Sequence, residues 1–235
     1  MLLVLASRQD ESARALVAAW AGHPVRLMTP VDLLRAGWRH WAERPEAGTA
    51  VIGGEEIAVS AISGVLTRLP AVGEDDLLEI AAGDRGYAAV EISAFLLAWL
   101  TELRCPVLNR PTAASLAGPN WRRERWAREA LRIGIPAAPC RRDTRAAECD
   151  DAWYAAPAGA AQITVVGDRS IGSADHSLHE QARRLARRAD VDLLACTFSG
   201  PERGAPLVGA HVWPCLTGAA VRDALLHHFQ RGRAA

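Results

Sequence analysis

All 27 basic side chains outside the histidines are arginines, and the chain contains no lysine. Schiff-base lysines, lysine general bases and compact lysine phosphate clamps are therefore excluded. Arginine offers instead a planar fork of donors that grips a carboxylate through two parallel hydrogen bonds. The densest group, Arg122, Arg123, Arg125, Arg128 and Arg132, lies in a segment that reads as a charged helix. Such a face is either simply solvated or a contact surface for an acidic peptide or protein, with Arg122 and Arg125 as the expected contact residues.

Five cysteines, at 105, 140, 149, 196 and 215, are odd in number, widely spaced and without a CxxC pair. That pattern argues for a reducing cytosol, and against a disulfide framework and a conventional zinc site. Cys196 and Cys215 could join His211 and His227 or His228 in a soft-metal site. Alternatively the cysteines are small buried residues and the paired histidines line a helix surface. Cys140 and Cys149, near Asp143 and Asp150, allow a redox or metal role beside the reading as ordinary loop cysteines. No local motif supports a Cys–His nucleophile.

Eight tryptophans are many for this length. Trp38 and Trp41 flank His40 in a polar segment, so they read as aromatic anchors of an interface, or Trp38 packs inward against the second helix. Gly53-Gly54 lacks the following helix and the spacing of a phosphate loop and reads as a hairpin turn. The free edge of such a hairpin suits an extended peptide added as a strand.

The elements that must position these residues alternate. Leu2–Ala6, Val25–Met28 and Ile62–Leu69 are apolar runs expected as strands, and Glu11–Trp20 is an amphipathic helix. A further helix is expected from Thr29 to Gly37, and a hairpin over Thr49–Val59. Tyr87–Leu103 is the longest helix, its core stripe read as Val90, Ala94, Leu97 and Leu100. Then come a strand at Cys105–Asn109, a helix entered at Arg110-Pro111-Thr112, a break at Gly118-Pro119, and a helix from Asn120 to Arg132 with Asn120 as N-cap. Residues 137–161 lose the pattern, with a weak strand candidate at Trp153-Tyr154. Order returns with a strand and Gly-Asp turn over Gln162–Arg169, a helix over His179–Arg188, strands at Val191–Phe198 and Leu207–Val212, and a closing helix over Val221–Phe229.

At 235 residues, 50% hydrophobic and 23% charged, the chain can bury a core without a staple. Its 27 basic and 27 acidic residues cancel, so no global field points to nucleic acid or an anionic membrane. No run approaches the roughly 18 apolar residues of a membrane span, and the first ten residues are too polar for a signal h-region. A cytoplasmic protein is expected.

The stretch from Cys105 to Pro136 also carries a family resemblance. Val-Leu-Asn-Arg-Pro, a short helix, an Asn, a charged helix with interior Ala and a terminal Gly-Ile-Pro resemble the hinge of the ATP-grasp ligases, nearest to the branch that modifies ribosomally made peptides. The chain keeps Asn109, Pro111, Ala113, Asn120, Ala130, Gly134, Ile135 and Pro136, with Trp121 where the family usually has Lys. Arg68-Leu69-Pro70 and the Gln162–Arg169 strand resemble further family segments.

The resemblance implies an α/β fold: a Rossmann-like pre-ATP-grasp domain (1–109), hinge helices (110–136), an irregular loop in place of the nucleotide lid (137–161) and a reduced ATP-grasp lobe (162–235). It implies that the family's magnesium ligands, an acid on one late strand and an acid-x-Asn on the last, fall on Thr197, His211 and Trp213; a one-residue slip gives Ala210 and Val212. None can hold magnesium against water. The expectation is a non-catalytic subunit, without metal or cofactor, that binds a peptide or partner enzyme through Trp38, Trp41, Arg68, Arg122 and Arg125, as a monomer or homodimer. Its rivals are an ATP-dependent carboxylate–amine ligase with a remodelled site, or half of a split one, and a Cys/His metal or redox protein.

Overall fold

A computed structural model describes residues 1–140 and 157–232. The part of the expected irregular loop at 141–156, with Asp143, Cys149, Asp150 and the strand candidate at Trp153-Tyr154, lies outside the described residues. The chain divides into two compact units, one made of 1–119 with the C-terminal segment from Cys215, the other of Asn120–Pro214. The closing helix thus belongs with the N-terminal elements, a correction to the expected lobe of 162–235.

In the first unit the apolar runs form strands β1 (Leu2–Leu5), β2 (Val25–Met28) and β5 (Gly64–Thr67). With β6 (Val107–Leu108) they make an all-parallel sheet in the order β2-β1-β5-β6. Helix α1 (Glu11–Ala19) starts where Asp10 accepts a hydrogen bond from the Ala13 amide at 2.9 Å. The hairpin β3 (Thr49–Ile52) and β4 (Glu55–Ala58) turns at Gly53 and Gly54, whose φ of 61° and 82° suit a tight two-residue turn. Leu3, Leu5 and Val65 on one sheet face share a core with Ala50 and Ile52 of the hairpin and with helix α2 (Arg85–Glu102). On the other face Gly64 leaves room for Phe229 of α5 (Ala219–Arg231): a Cβ there would lie 2.5 Å from the ring.

Three expectations give way here. Thr29–Gly37 forms only one 3-10 turn, Pro30–Leu34, because the buried Asp32 carboxylate ties the Thr29 amide (2.9 Å) to the Gly53 amide (2.8 Å) and fixes the hairpin instead. The buried face of α2 carries Ala89, Leu96, Trp99 and Leu100, while Val90 is exposed; periodicity cannot orient a helix that is apolar on nearly every side. Residues 110–119 form turns rather than a helix. Thr112 and Ser115 exchange backbone hydrogen bonds, and Arg110 reaches back to cap the α2 end through the Leu103 carbonyl.

The second unit begins with α3 (Arg123–Arg132), whose N-cap is Arg122 rather than Asn120. Strands β7 (Ala161–Val166), β8 (Arg169–Ile171), β9 (Leu193–Phe198) and β10 (Leu207–His211) form an antiparallel sheet in the order β10-β9-β7-β8. Ile163, Val165, Leu194, Cys196, Phe198 and Ala210 share one core with Trp126 and Ala130 of α3 and with Leu178, Ala182 and Leu185 of α4 (His176–Ala189). Asp175 caps α4 through the Ser177 amide at 2.8 Å, starting it before the expected His179.

Candidate functional site

On α3, residues three and four apart divide inside from outside. Trp126, Glu129 and Ala130 are buried, leaving Arg122, Arg125, Arg128 and Arg132 exposed. Arg128 and Arg132 lie 3.6 and 3.1 Å from the Glu129 carboxylate, which Arg188 of α4 also grips at 2.8 Å. Burial pushes the Glu129 carboxyl up, but the Arg188 hydrogen bond and the charges of Arg132, Arg188 and Arg128 together hold it below the ordinary glutamate value. Arg123 donates to the Val208 carbonyl at 2.8 Å and fastens α3 to the edge strand.

Arg122 and Arg125 are spent on none of this. Among the described residues neither has a carboxylate within ion-pair distance. The Arg125 guanidinium stands 4.2 Å over the Trp121 ring, which leans on the buried Trp126 at 4.7 Å between centroids. Asn120, Trp121, Arg122, Glu124, Arg125 and Arg128 line an open groove of about 610 Å³. One Glu124 oxygen is shielded from solvent and has no hydrogen-bond partner among the described residues. An aromatic floor and two guanidinium groups that are unpaired among the described residues can receive a carboxylate-bearing chain.

Of the five expected contact residues, the groove gathers only Arg122 and Arg125. Trp38 is not an exposed anchor: its indole N–H donates to the Asp32 carbonyl at 2.9 Å, and its ring meets Phe95 and Trp99 edge-on at 5.5 and 5.6 Å. Arg68 is committed as well, its Nε donating to Asp10 at 2.7 Å with 11% of the side chain exposed. Trp41, 57% exposed, stands in the first unit. Sequence reasoning missed Trp121 and Glu124 as groove residues, although Trp121 and Arg125 at i, i+4 were a readable signal.

Of the positions that the resemblance assigns to the metal ligands, Thr197 lies on β9 and His211 on β10. β9 and β10 pair Thr197 with Gly209 and His211 with Ala195, so Thr197 and His211 lie on the sheet face opposite Cys196 and Ala210. His211 Nδ1 accepts the Trp213 amide at 3.3 Å, while the Trp213 side chain packs against the core. A threonine hydroxyl and an imidazole supply no anionic oxygen for a hard cation. Among the described residues no three His, Cys, Asp or Glu side chains come together as a metal cluster.

The residues of the cysteine–histidine grouping divide between the two units. Cys196 is fully buried in the second unit, and burial pushes its thiol up. Cys215 is exposed in the first unit, 3.0 Å from the Thr217 hydroxyl; that hydroxyl, the Thr217 amide and the Arg68 charge pull its thiol down. His227 and His228 lie on α5, with His228 edge-on to Phe229 at 5.9 Å. Cys140 is half-buried.

No protein-family model matches the chain, and no curated protein does. Solved structures do. The macrocyclase MdnC from Microcystis aeruginosa MRC, bound with precursor peptide MdnA, aligns over 96% of this chain and 98% of its own at TM-score 0.66 and 11% identity. The ATP-grasp ligase PsnB, complexed with minimal precursor, Mg and ADP, aligns over 98% of each chain at TM-score 0.64 and 14% identity. A RiPP-associated ATP-grasp ligase of Chryseobacterium gregarium, with ADP and a leader and core peptide, aligns over 99% of this chain and 94% of its own at 0.58 and 13%. The chain has the mixed α/β fold of the peptide-modifying ATP-grasp ligases.

Proposed function

We propose that the chain is a non-catalytic subunit of ATP-grasp descent that binds an acidic peptide, or an acidic segment of a partner enzyme, in ribosomal-peptide or natural-product modification. The observation that carries this reading is the α3 groove, where Arg122 and Arg125 stand beside Trp121 without an ion-pair partner among the described residues. The absence of lysine from the sequence, and Thr197, His211 and Trp213 at the metal positions, support the loss of nucleotide chemistry. On this reading the N-terminal unit is a Rossmann-like pre-ATP-grasp domain, and 137–161 replaces the lid. The reading also keeps the chain in the cytoplasm, without nucleic acid or membrane as partner, in line with its cysteine usage and zero net charge.

The rival reading, an ATP-dependent carboxylate–amine ligase or half of one, draws on the structural relatives, two of which are complexed with ADP. Fold alone does not carry activity. Fluorescence anisotropy with a labelled peptide of alternating Glu and Phe tests the proposal. Saturable, salt-sensitive binding is expected, weakened about tenfold or more in Arg122→Ala/Arg125→Ala. Binding that is absent, or indifferent to that double substitution, overturns it.

A further inference from the structure

Three guanidinium groups share one carboxylate in the second unit. Arg128, Arg132 and Arg188 all lie within 3.6 Å of the Glu129 carboxylate, and that side chain is 6% exposed. The buried acid fixes the three guanidinium groups and leaves two of their charges uncompensated, while 61%, 57% and 45% of the three arginine side chains face solvent. Arg184, one turn before Arg188 on α4, is exposed and donates to the Ile133 carbonyl at the end of α3. Residues 122–132 and 176–189, the two helices with Arg122, hold nine arginines and three glutamates in a chain of zero net charge. Of those acids, Glu180 is already held by Arg183 and Arg187 at 2.8 and 3.1 Å.

We propose that the acidic partner extends past the groove and along the seam between α3 and α4, as a segment that presents three or more carboxylates. The inference rests on the peptide reading of the groove and adds the partner's length and charge. Arg125, Arg128 and Arg132, at i, i+3 and i+7, form one row on the outer side of α3. From Arg122 to Arg132 the helix rises about 15 Å. An extended chain advances about 6.6 Å per two residues, so acids at every second position set three carboxylates over that length. Arg184 and Arg188 stand across the seam from the end of the row.

Charge and one apolar side chain select an acidic peptide over a nucleic acid. A guanidinium has five N–H donors, so each arginine that meets Glu129 keeps donors for a second carboxylate. Leu131 is 60% exposed between Arg128 and Arg132 in sequence. It offers an apolar contact to a side chain standing between two acids, which a sugar-phosphate backbone does not supply. With zero net charge, the chain also has no long-range field to draw in a polyphosphate.

Fluorescence anisotropy on the full chain, with two labelled alternating Glu-Phe peptides, one with two Glu and one with five, tests this. The longer peptide is expected to bind about tenfold more tightly. Arg132→Gln/Arg184→Gln should remove that gain and leave the two-Glu affinity as it is, with Arg188 still on Glu129 and the circular dichroism spectrum unchanged. Leu131→Glu, which puts a like charge beside the row at an exposed position, should remove the gain as well. Arg122→Ala/Arg125→Ala should weaken both peptides. Equal affinities for the two peptides, or a gain that survives both seam variants, would overturn the extension and leave the groove standing. A chain that binds neither peptide would overturn the groove reading with it, and an oligouridylate that binds more tightly than the five-Glu peptide would overturn the choice of partner.

Discussion

Replacing Gly64 with Ala tests whether the last helix of the chain is built into its first sheet. The new Cβ would sit 2.5 Å from Phe229 Cδ1, 3.0 Å from Cε1 and 3.1 Å from Leu2 Cδ2. Carbon atoms settle at roughly 3.5–4.0 Å, so the ring must move by about 1 Å. Phe229 is 1% exposed, so its ring can move only by displacing neighbours in a packed interior. Overpacking of this kind costs about 1–3 kcal/mol. Phe229→Ala alone costs about 3–5 kcal/mol through the cavity it leaves. In that background the ring contact is gone and only Leu2 Cδ2, at 3.1 Å on a flexible side chain, is left to yield, so Gly64→Ala should be close to neutral. The two substitutions should therefore couple by more than about 1 kcal/mol, well outside additivity for independent sites. Guanidinium unfolding of the four proteins, followed by tryptophan fluorescence, reads the coupling. Additive effects, or a Gly64→Ala as stable as wild type, would refute the packing of α5 on β5.

Acidification should weaken the second unit through Glu129. Its folded pKa lies below the ordinary value of 4.5, so the stability it contributes is fully present above that pH and is lost as pH falls through the folded pKa. Glu129→Gln should flatten that part of the acid limb in thermal melts from pH 7 to 3, and an unchanged limb would contradict the assignment. Alkylation with iodoacetamide at pH 8 should label Cys215 first and Cys196 only on unfolding, because one thiol is pulled down and exposed while the other is pushed up by burial. Peptide mapping that finds both labelled at one rate would contradict this. Arg68→Ala should cost about 3 kcal/mol in chemical denaturation, since it strands Asp10 without its partner at a largely buried site.

What the sequence made legible is what local pattern decides. The apolar runs at β1, β2 and β5, the Gly53-Gly54 turn and the charged helix after Asn120 each announce themselves within a few residues. Other features needed the tertiary structure. Trp38 looks like a surface anchor until Asp32, Phe95 and Trp99 are seen around it. Arg68 reads as a free cation until Asp10, 58 residues away in sequence, is placed beside it. The inner face of α2 cannot be chosen from its own composition, and the return of α5 to the first sheet is a contact between the two ends of the chain. In the candidate site, Arg122 and Arg125 were legible as exposed charges. That, among the described residues, these two arginines at the start of α3 are left without an ion-pair partner depends on where Glu129 and Val208 lie.

Isothermal titration calorimetry on the full chain tests the central claim most directly, with magnesium-ATP and the alternating Glu-Phe peptide titrated separately. The account predicts saturable heat for the peptide, reduced in Arg122→Ala/Arg125→Ala, and no saturable heat for magnesium-ATP. Stoichiometric binding of magnesium-ATP, with the peptide silent, would contradict it and return the chain to the ligases whose fold it shares.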